Sequence, residues 1–371
     1  MQNCNMSEED AKVHHQILSL QLSWNCNAAC RQCMVSGSEK RSRIMSLSEA
    51  KRVLDQLQHM PLTHFVGFTG GEPFLHYDLL LELARYIQER YGYPMGIATN
   101  CFWAEDRSKA RAMLSPLVDL GLGELLVSLD DFHLEFIDGK RIENCIHAAL
   151  ALGIYITVQT IRTRTGHDKS YFQEHMDIPR SAALRWIETP CHPVGRAVSQ
   201  VPQSEYVRDW CNRPDHCTAL HVWNIDPRGN VTPCCGTAMS RPLKVGNAFD
   251  EDLSAIVNRT NVDPLINTIA GWGGPYLLIK ILEKNGIGCY SDRVFASHCE
   301  ACDTVLRDPK AMEVLNRELP EHWVEALASR LVARKLWYQS FILQDNSFTW
   351  LPAGWVDADG ESAQQSREGP P

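Results

Sequence analysis

The chain lacks the features that tie a protein to a membrane, to nucleic acid or to export. Its most apolar late run, residues 276–282, is short and carries Lys280, whereas a spanning helix needs about 20 apolar residues. It has no basic cluster: 36 Lys and Arg face 45 Asp and Glu, a formal net charge of −9. No phosphate-binding face follows from that balance, so neither nucleic acid nor a membrane is expected as a partner. Residues 1–10 are polar and acidic, unlike the basic-then-apolar pattern of a secretory signal. Internal repeats are lacking too. What remains is an expectation of a cytoplasmic globular protein. Its 44% hydrophobic and 22% charged residues are ordinary for that class, and 371 residues allow one large domain or two smaller ones.

Cysteine, by contrast, is abundant. Fourteen cysteines in a small secreted chain would mean a disulfide framework, but a chain of this length has a core of its own. Metal binding is the better reading. Three cysteines sit together in Cys26-Asn27-Ala28-Ala29-Cys30-Arg31-Gln32-Cys33, directly after an apolar run at 17–22 that reads as a buried strand. Iron–sulfur clusters are held by thiolates at short, stereotyped spacings, and most four-iron clusters take four protein ligands. Three ligands in one loop leave one iron open to a small molecule. Structural zinc wants four ligands, usually as paired C-x2-C units, which this loop does not supply.

Downstream, apolar and β-branched runs at 64–69, 95–99, 124–129, 154–161 and 184–188 alternate with helical patterns. The helices are expected at 46–60, opened by the Ser46–Glu49 capping box, and at 78–91, 107–120, 141–152 and 169–176. Such alternation predicts an α/β fold with a parallel sheet and right-handed crossovers. From about residue 201 the alternation stops, and proline, glycine and cysteine become dense.

Ligands of parallel α/β folds bind at the carboxyl ends of strands. The second strand ends in Gly70-Gly71-Glu72-Pro73, the third in Thr99-Asn100 and the fourth in Ser128-Leu129-Asp130-Asp131. Alone, a Gly-Gly-Glu-Pro turn is only a turn; one strand after the cysteine loop it becomes a candidate site. The later region holds Cys217, Gly229, Cys234 and the Cys299-Glu300-Ala301-Cys302 pair. A hairpin turning at Arg228-Gly229-Asn230 brings Cys217 and Cys234 together, and the late pair completes a four-sulfur set. By spacing alone, zinc is an alternative for that set. Cys235 is then left over beside a ligand. Its weak S–H bond suits it to give a hydrogen atom to a carbon radical, although a free cysteine is often just a small buried hydrophobe. The roles of Cys234 and Cys235 can also be exchanged, with the Gly-x4-Cys spacing favouring Cys234 as the ligand.

These motifs together resemble the radical S-adenosylmethionine (SAM) enzymes. Further segments are similar to the radical SAM peptide epimerases that make epipeptides: Asn100-Cys101-Phe102-Trp103, Ser128-Leu129-Asp130-Asp131-Phe132-His133 and Pro233-Cys234-Cys235. The likeness is spread over about residues 17–305. It implies a partial (β/α)6 barrel at 17–200 and a twitch- or SPASM-like auxiliary-cluster domain at 201–305. A tail at 1–16, a helical segment at 306–352 and, by composition, a disordered tail at 353–371 complete the expected organisation. Cys26, Cys30 and Cys33 would hold a 4Fe–4S cluster whose open iron chelates SAM. Gly70, Gly71, Glu72 and Pro73 would meet its amino group, and Asn100, Ser128 and Asp130 its ribose and carboxylate. Cys217, Cys234, Cys299 and Cys302 would hold a second, auxiliary iron–sulfur cluster.

In such epimerases a 5′-deoxyadenosyl radical removes a Cα hydrogen and a cysteine returns one from the opposite face; Cys235 matches the donor. The implied partners are a ribosomal peptide and an electron donor such as flavodoxin or ferredoxin. Two positions depart from the family pattern. Gln32 replaces the usual aromatic residue near the adenine, and Cys101 stands where glycine is frequent, either as a rival donor or as filler. Oxidative maturation (thioether or carbon–carbon cross-linking, or dehydrogenation) and carbohydrate epimerisation are the alternative chemistries. A non-catalytic metal-binding module is the alternative from another class.

Overall fold

A computed structural model describes residues 16–60, 63–210, 217, 220, 222–234, 243–271, 273–290, 292–325, 327–328 and 331–332. Cys235, the tail at 1–15 and residues 333–371 lie outside the described residues.

The first strand, β1 (Gln16–Ser23), is followed by α1 (Leu47–Leu54), β2 (Thr63–Gly70), α2 (Tyr77–Arg90), β3 (Met95–Thr99), α3 (Arg107–Asp119) and β4 (Leu122–Ser128). Then come a one-turn helix α4 (Asp131–Leu134), α5 (Gly139–Ala151), β5 (Tyr155–Arg162), α6 (Lys169–His175) and β6 (Leu184–Pro190). These six strands pair in parallel with each sequential neighbour, the βαβ arrangement that the alternating pattern predicts. Residue choice along the strands separates two environments, because side chains alternate faces with period two. Leu18, Leu20 and Leu22 of β1, Val66 and Phe68 of β2, Leu125 and Val127 of β4, and Ile156 and Val158 of β5 join the core beneath the helices. The intervening Ser19, Thr69, Ala98, Ser128 and Gln159 line an inner cavity instead.

The helices follow their sequence signals. Ser46 and Glu49 form the reciprocal capping box at the start of α1, with Ser46 Oγ accepting from the Glu49 N–H at 3.2 Å. The helix is shorter than the sequence suggests, tightening into a 3-10 turn at Asp55–His59. In α2, Leu80, Leu83, Ala84 and Ile87 form the buried stripe expected of an amphipathic helix.

After β6 a short helix α7 (Ala197–Gln200) leads to β7 (Val222–Ile225), β8 (Asn230–Thr232) and β9 (Gly246–Asn247). Among the described residues, nine strands make one sheet in the order β6-β5-β4-β3-β2-β1-β7-β8-β9. β7 pairs in parallel with β1, from Ile17 opposite Val222 to Leu20 opposite Ile225, and antiparallel with β8. The sheet therefore crosses the boundary expected at residue 200. The physical reason is that an isolated hairpin is marginal in water, and this one gains a partner by adding to the β1 edge. Trp223, Ile225 and Val231 join the main core.

A second apolar cluster lies beyond the sheet. It draws on α9 (Pro264–Ala270), α10 (Gly274–Lys284), α11 (His298–Arg307) and α12 (Pro309–Glu318), while α8 (Leu253–Asn261) packs on the main core. The cluster takes in Ala311, Leu315 and Leu319, so it runs past the boundary expected at residue 305. No helix among the described residues is long and apolar enough to cross a membrane.

Candidate active site

A cavity of about 250 Å³ opens at the carboxyl ends of β1 to β5. Cys26, Cys30 and Cys33 line it together with Gly70, Gly71, Glu72, Asn100 and Ser128, so residues drawn from four separate motifs share one chamber. Pro73 and Asp130 are not among its lining residues.

The cysteine loop is fixed from two sides. On one side, β2 ends against its start: the Gly71 N–H donates to Ser23 O at 2.7 Å and the Glu72 N–H to Asn25 O at 2.8 Å. That approach leaves no room for side chains. A Cβ on Gly71 would lie 1.8 Å from Asn25 O, and Gly70 has φ +124° with Ser23 O 2.3 Å from where its Cβ would be. The glycine pair thus lets β2 meet the cysteine loop, whatever ligand it also serves. On the other side Arg196, after β6, donates its backbone N–H to Cys33 O at 3.0 Å and its guanidinium to Cys30 O at 2.7 Å and to Gly37 O. Neighbouring Gly195 has φ +57° and sits against Met34 O. Nothing in the sequence around Gly195-Arg196 signals this clamp.

Glu72 is buried, and its carboxylate accepts from the Phe74 N–H at 3.1 Å, Thr99 Oγ1 at 3.0 Å and the Asn100 N–H at 2.7 Å. Burial raises its pKa to about 7 against the opposing effect of those donors. Asn100 donates to Asn27 Oδ1 at 3.0 Å and lies 3.8 Å from Cys26 Sγ. Asp130 is fully buried and serves as the N-cap of α4, accepting from the His133 N–H at 3.0 Å. The side chain that reaches the cavity from this turn is His133, whose Nδ1 lies 2.9 Å from Asp130 Oδ1 and 3.3 Å from Gln32 Nε2. Burial disfavours its charged form, but the Asp130 carboxylate outweighs this and raises His133 above its ordinary value.

Cys101 lies elsewhere. Its φ is +65°, which explains why glycine suits that position, and its side chain is buried in the main core facing Cys145. It is not among the cavity-lining residues, although Thr99 and Asn100 just before it are.

The three loop thiols fit a cationic group. Burial pushes Cys26 up to about 12, with Glu72 and Cys33 adding to the effect, and burial likewise raises Cys30, with Asp130 adding. Thiolates in this site need more positive charge than Arg196 alone supplies, and iron provides it. A similar set lies in the second cluster. Cys217, Cys234 and Cys299 are buried, and Cys302 is raised by burial and by those three neighbours around it. Among the described residues no three His, Cys, Asp or Glu side chains converge as the ligands of one ion do. Thiolates of an iron–sulfur cluster bind separate irons and need no such convergence.

A hydrogen bond links the cavity wall to the helix that carries Cys299 and Cys302. His192, which lines the cavity, has Nδ1 2.9 Å from the hydroxyl of Ser297, the N-cap of α11. Burial, with His298 nearby, pushes His192 down to about 4.

Comparison with known proteins agrees with this arrangement. Residues 21–178 match the Radical SAM superfamily, and residues 217–268 match the SPASM iron–sulfur cluster-binding domain. YydG of Bacillus subtilis, whose name assigns it provisionally to peptide biosynthesis, is 22% identical over 84% of this chain and 99% of its own length. The mycofactocin maturase MftC of Mycolicibacterium smegmatis is 28% identical over 33% of this chain and 30% of its own. Among solved structures, Streptococcus suis SuiB bound to its precursor peptide SuiA shares the fold, with a TM-score of 0.50 at 16% identity over 72% of this chain and 73% of that one. The first domain implies a 4Fe–4S cluster and SAM, and the second implies auxiliary iron–sulfur binding. Along its length the chain thus carries a radical SAM domain at residues 21–178 followed by a SPASM domain at residues 217–268.

Proposed function

We propose that this enzyme converts L- to D-residues in a ribosomally made peptide. The observation that carries the peptide part is the likeness to YydG along nearly the whole of that protein. The epimerase part rests on Cys235, which follows Cys234 directly. When bound, the cluster and SAM supply a 5′-deoxyadenosyl radical able to take hydrogen from carbon.

The chain's own residues then have separate tasks. Cys26, Cys30 and Cys33 hold the cluster, with Arg196 fixing their loop. Glu72 has about four acceptor sites, of which the Phe74, Thr99 and Asn100 donors use three, leaving one for the amino group of SAM. Gly70, Gly71, Pro73 and Asp130 shape the surrounding turns, while Asn100 and Ser128 line the cavity where ribose and carboxylate would lie. Cys217, Cys234, Cys299 and Cys302 hold the auxiliary cluster. Cys235 gives its hydrogen to the planar Cα from the face opposite the abstraction: its S–H bond breaks, a C–H bond forms, and the thiyl left behind takes an electron from a donor such as flavodoxin or ferredoxin and a proton from solvent to restore the thiol.

The test is anaerobic turnover in D2O, with SAM and a reductant, of the short peptides encoded by reading frames flanking the gene, read by mass spectrometry. A thiol exchanges its hydrogen with solvent, so each epimerised residue gains one mass unit. Cys235→Ala should still form 5′-deoxyadenosine yet give no labelled D-residue. A loss of two mass units from the wild-type product would replace epimerisation by oxidation.

A further inference from the structure

His192 offers a function that no motif signalled. It follows β6 and lines the cavity, with its Nδ1 2.9 Å from Ser297 Oγ. Ser297 caps α11, and its oxygen accepts the N–H of Cys299 at 3.1 Å and that of Glu300 at 3.4 Å. A hydroxyl has two acceptor lone pairs and one hydrogen. Both lone pairs are occupied by the cap, so the hydrogen is left for His192 Nδ1. The imidazole accepting it is then the neutral tautomer that carries its own hydrogen on Nε2. The cap of α11 thereby turns His192 into a neutral hydrogen-bond donor on the cavity wall.

A neutral donor of this kind suits a carbonyl oxygen. An anion would be better met by a cationic side chain. We infer that His192 binds the peptide substrate, its Nε2–H donating to a main-chain carbonyl and holding the peptide at the border between the Cys26–Cys33 loop and the helix that carries Cys299 and Cys302. This deepens the peptide reading above and rests on it. Ser297 is a positioning residue here, acting through the histidine.

Two substitutions separate the roles of the two ring nitrogens. His192→Asn keeps a group near Nδ1 to accept from Ser297 but has nothing at Nε2. His192→Gln reaches the Nε2 position with an amide N–H. The readouts are KM and kcat for the flanking-frame peptide, KM for SAM, and iron per chain. Loss of one hydrogen bond should raise the peptide KM of His192→Asn roughly tenfold. The SAM KM and iron content should stay as in the wild type, and His192→Gln should recover to within about threefold. The inference falls if the peptide KM of His192→Asn stays within about twofold of the wild type. It falls equally if the SAM KM rises in parallel, which would make SAM the bonded ligand, or if iron is lost, which would make His192 a prop for α11. A wild type inactive on every flanking peptide would remove the peptide reading and this inference with it, whereas an active wild type matched by His192→Asn would remove this inference alone.

Discussion

The carboxylate of Asp130 lies 2.9 Å from the imidazole of His133, one helical turn further on, and the histidine is the member of the pair that meets the cavity. Asp130 is buried and His133 nearly so, with side-chain exposures of 1% and 18%. One carboxylate oxygen thus both caps α4 and faces the ring.

This pair should give stability a recognisable pH dependence. Because His133 is raised in the folded protein, its stabilisation is complete below the ordinary histidine value of about 6.5 and is lost as pH rises through the folded value. Asp130→Asn keeps a capping oxygen but removes the charge. Its cost should be about 2 kcal/mol near pH 6, where the bond is charged, and about 1 kcal/mol near pH 9, where it is neutral. Denaturant unfolding followed anaerobically by circular dichroism measures both values. A cost that stays the same from pH 6 to pH 9 would show that the pair is held as neutral imidazole throughout.

The glycine pair gives a sharper contrast. Gly71→Ala would put a methyl 1.8 Å from Asn25 O, so the start of the cysteine loop must move. Overpacking against backbone should cost about 3 kcal/mol, and the variant should keep less than half of the wild-type iron after reconstitution. Gly92→Ala is the control. There φ is +65° but nothing lies within 4 Å of the added Cβ, so only the left-handed backbone is penalised, by about 1 kcal/mol. Equal iron content in the two alanine variants would mean that the Gly71 contact does not shape the loop.

These two cases also mark what was legible in the sequence. Strand order through β6, the α1 capping box and the meeting of Cys26, Cys30, Cys33, Glu72 and Asn100 in one chamber follow from period-two strands, short motifs and the rule that parallel strands present their carboxyl ends to ligands. The β7 addition did not follow, because residues 222–225 form a short apolar run whose partner, β1, lies some two hundred residues away in sequence. The position of Asp130 in the Ser128–Asp131 motif says nothing about direction, so its Oδ1 capping α4 and meeting His133 becomes visible only once the backbone turns there. Arg196 and His192 carry no motif at all, and each becomes visible only when the loop after β6 folds back on the cysteine loop or on α11.

Arg196 should matter for retaining the cluster. Its three hydrogen bonds end on the carbonyls of Cys30, Cys33 and Gly37, two of them from one planar fork. Arg196→Lys keeps the charge but lacks the fork, and Arg196→Met lacks both. Iron release to a chelator under anaerobic conditions should therefore quicken in the order wild type, lysine, methionine, by roughly fivefold to tenfold for each hydrogen bond lost. The backbone bond to Cys33 O survives in all three proteins, so the loop should remain folded. Identical release rates would assign the loop's rigidity to the Gly70-Gly71 side alone.

The last test separates two cysteines that the sequence allowed to compete. Cys101 occupies a left-handed backbone position, is completely buried in the main core and faces Cys145. Cys101→Gly relieves a backbone cost of about 1 kcal/mol while giving up a buried side chain worth about as much, so thermal stability should change little. More decisively, Cys101 is not among the residues that line the inner cavity. Cys101→Gly should therefore incorporate solvent deuterium into the peptide as the wild type does, while Cys235→Ala should not. If the label instead vanished in Cys101→Gly and persisted in Cys235→Ala, the hydrogen would come from the turn after β3, and the substrate would have to approach the cluster from a different side than the SPASM domain offers.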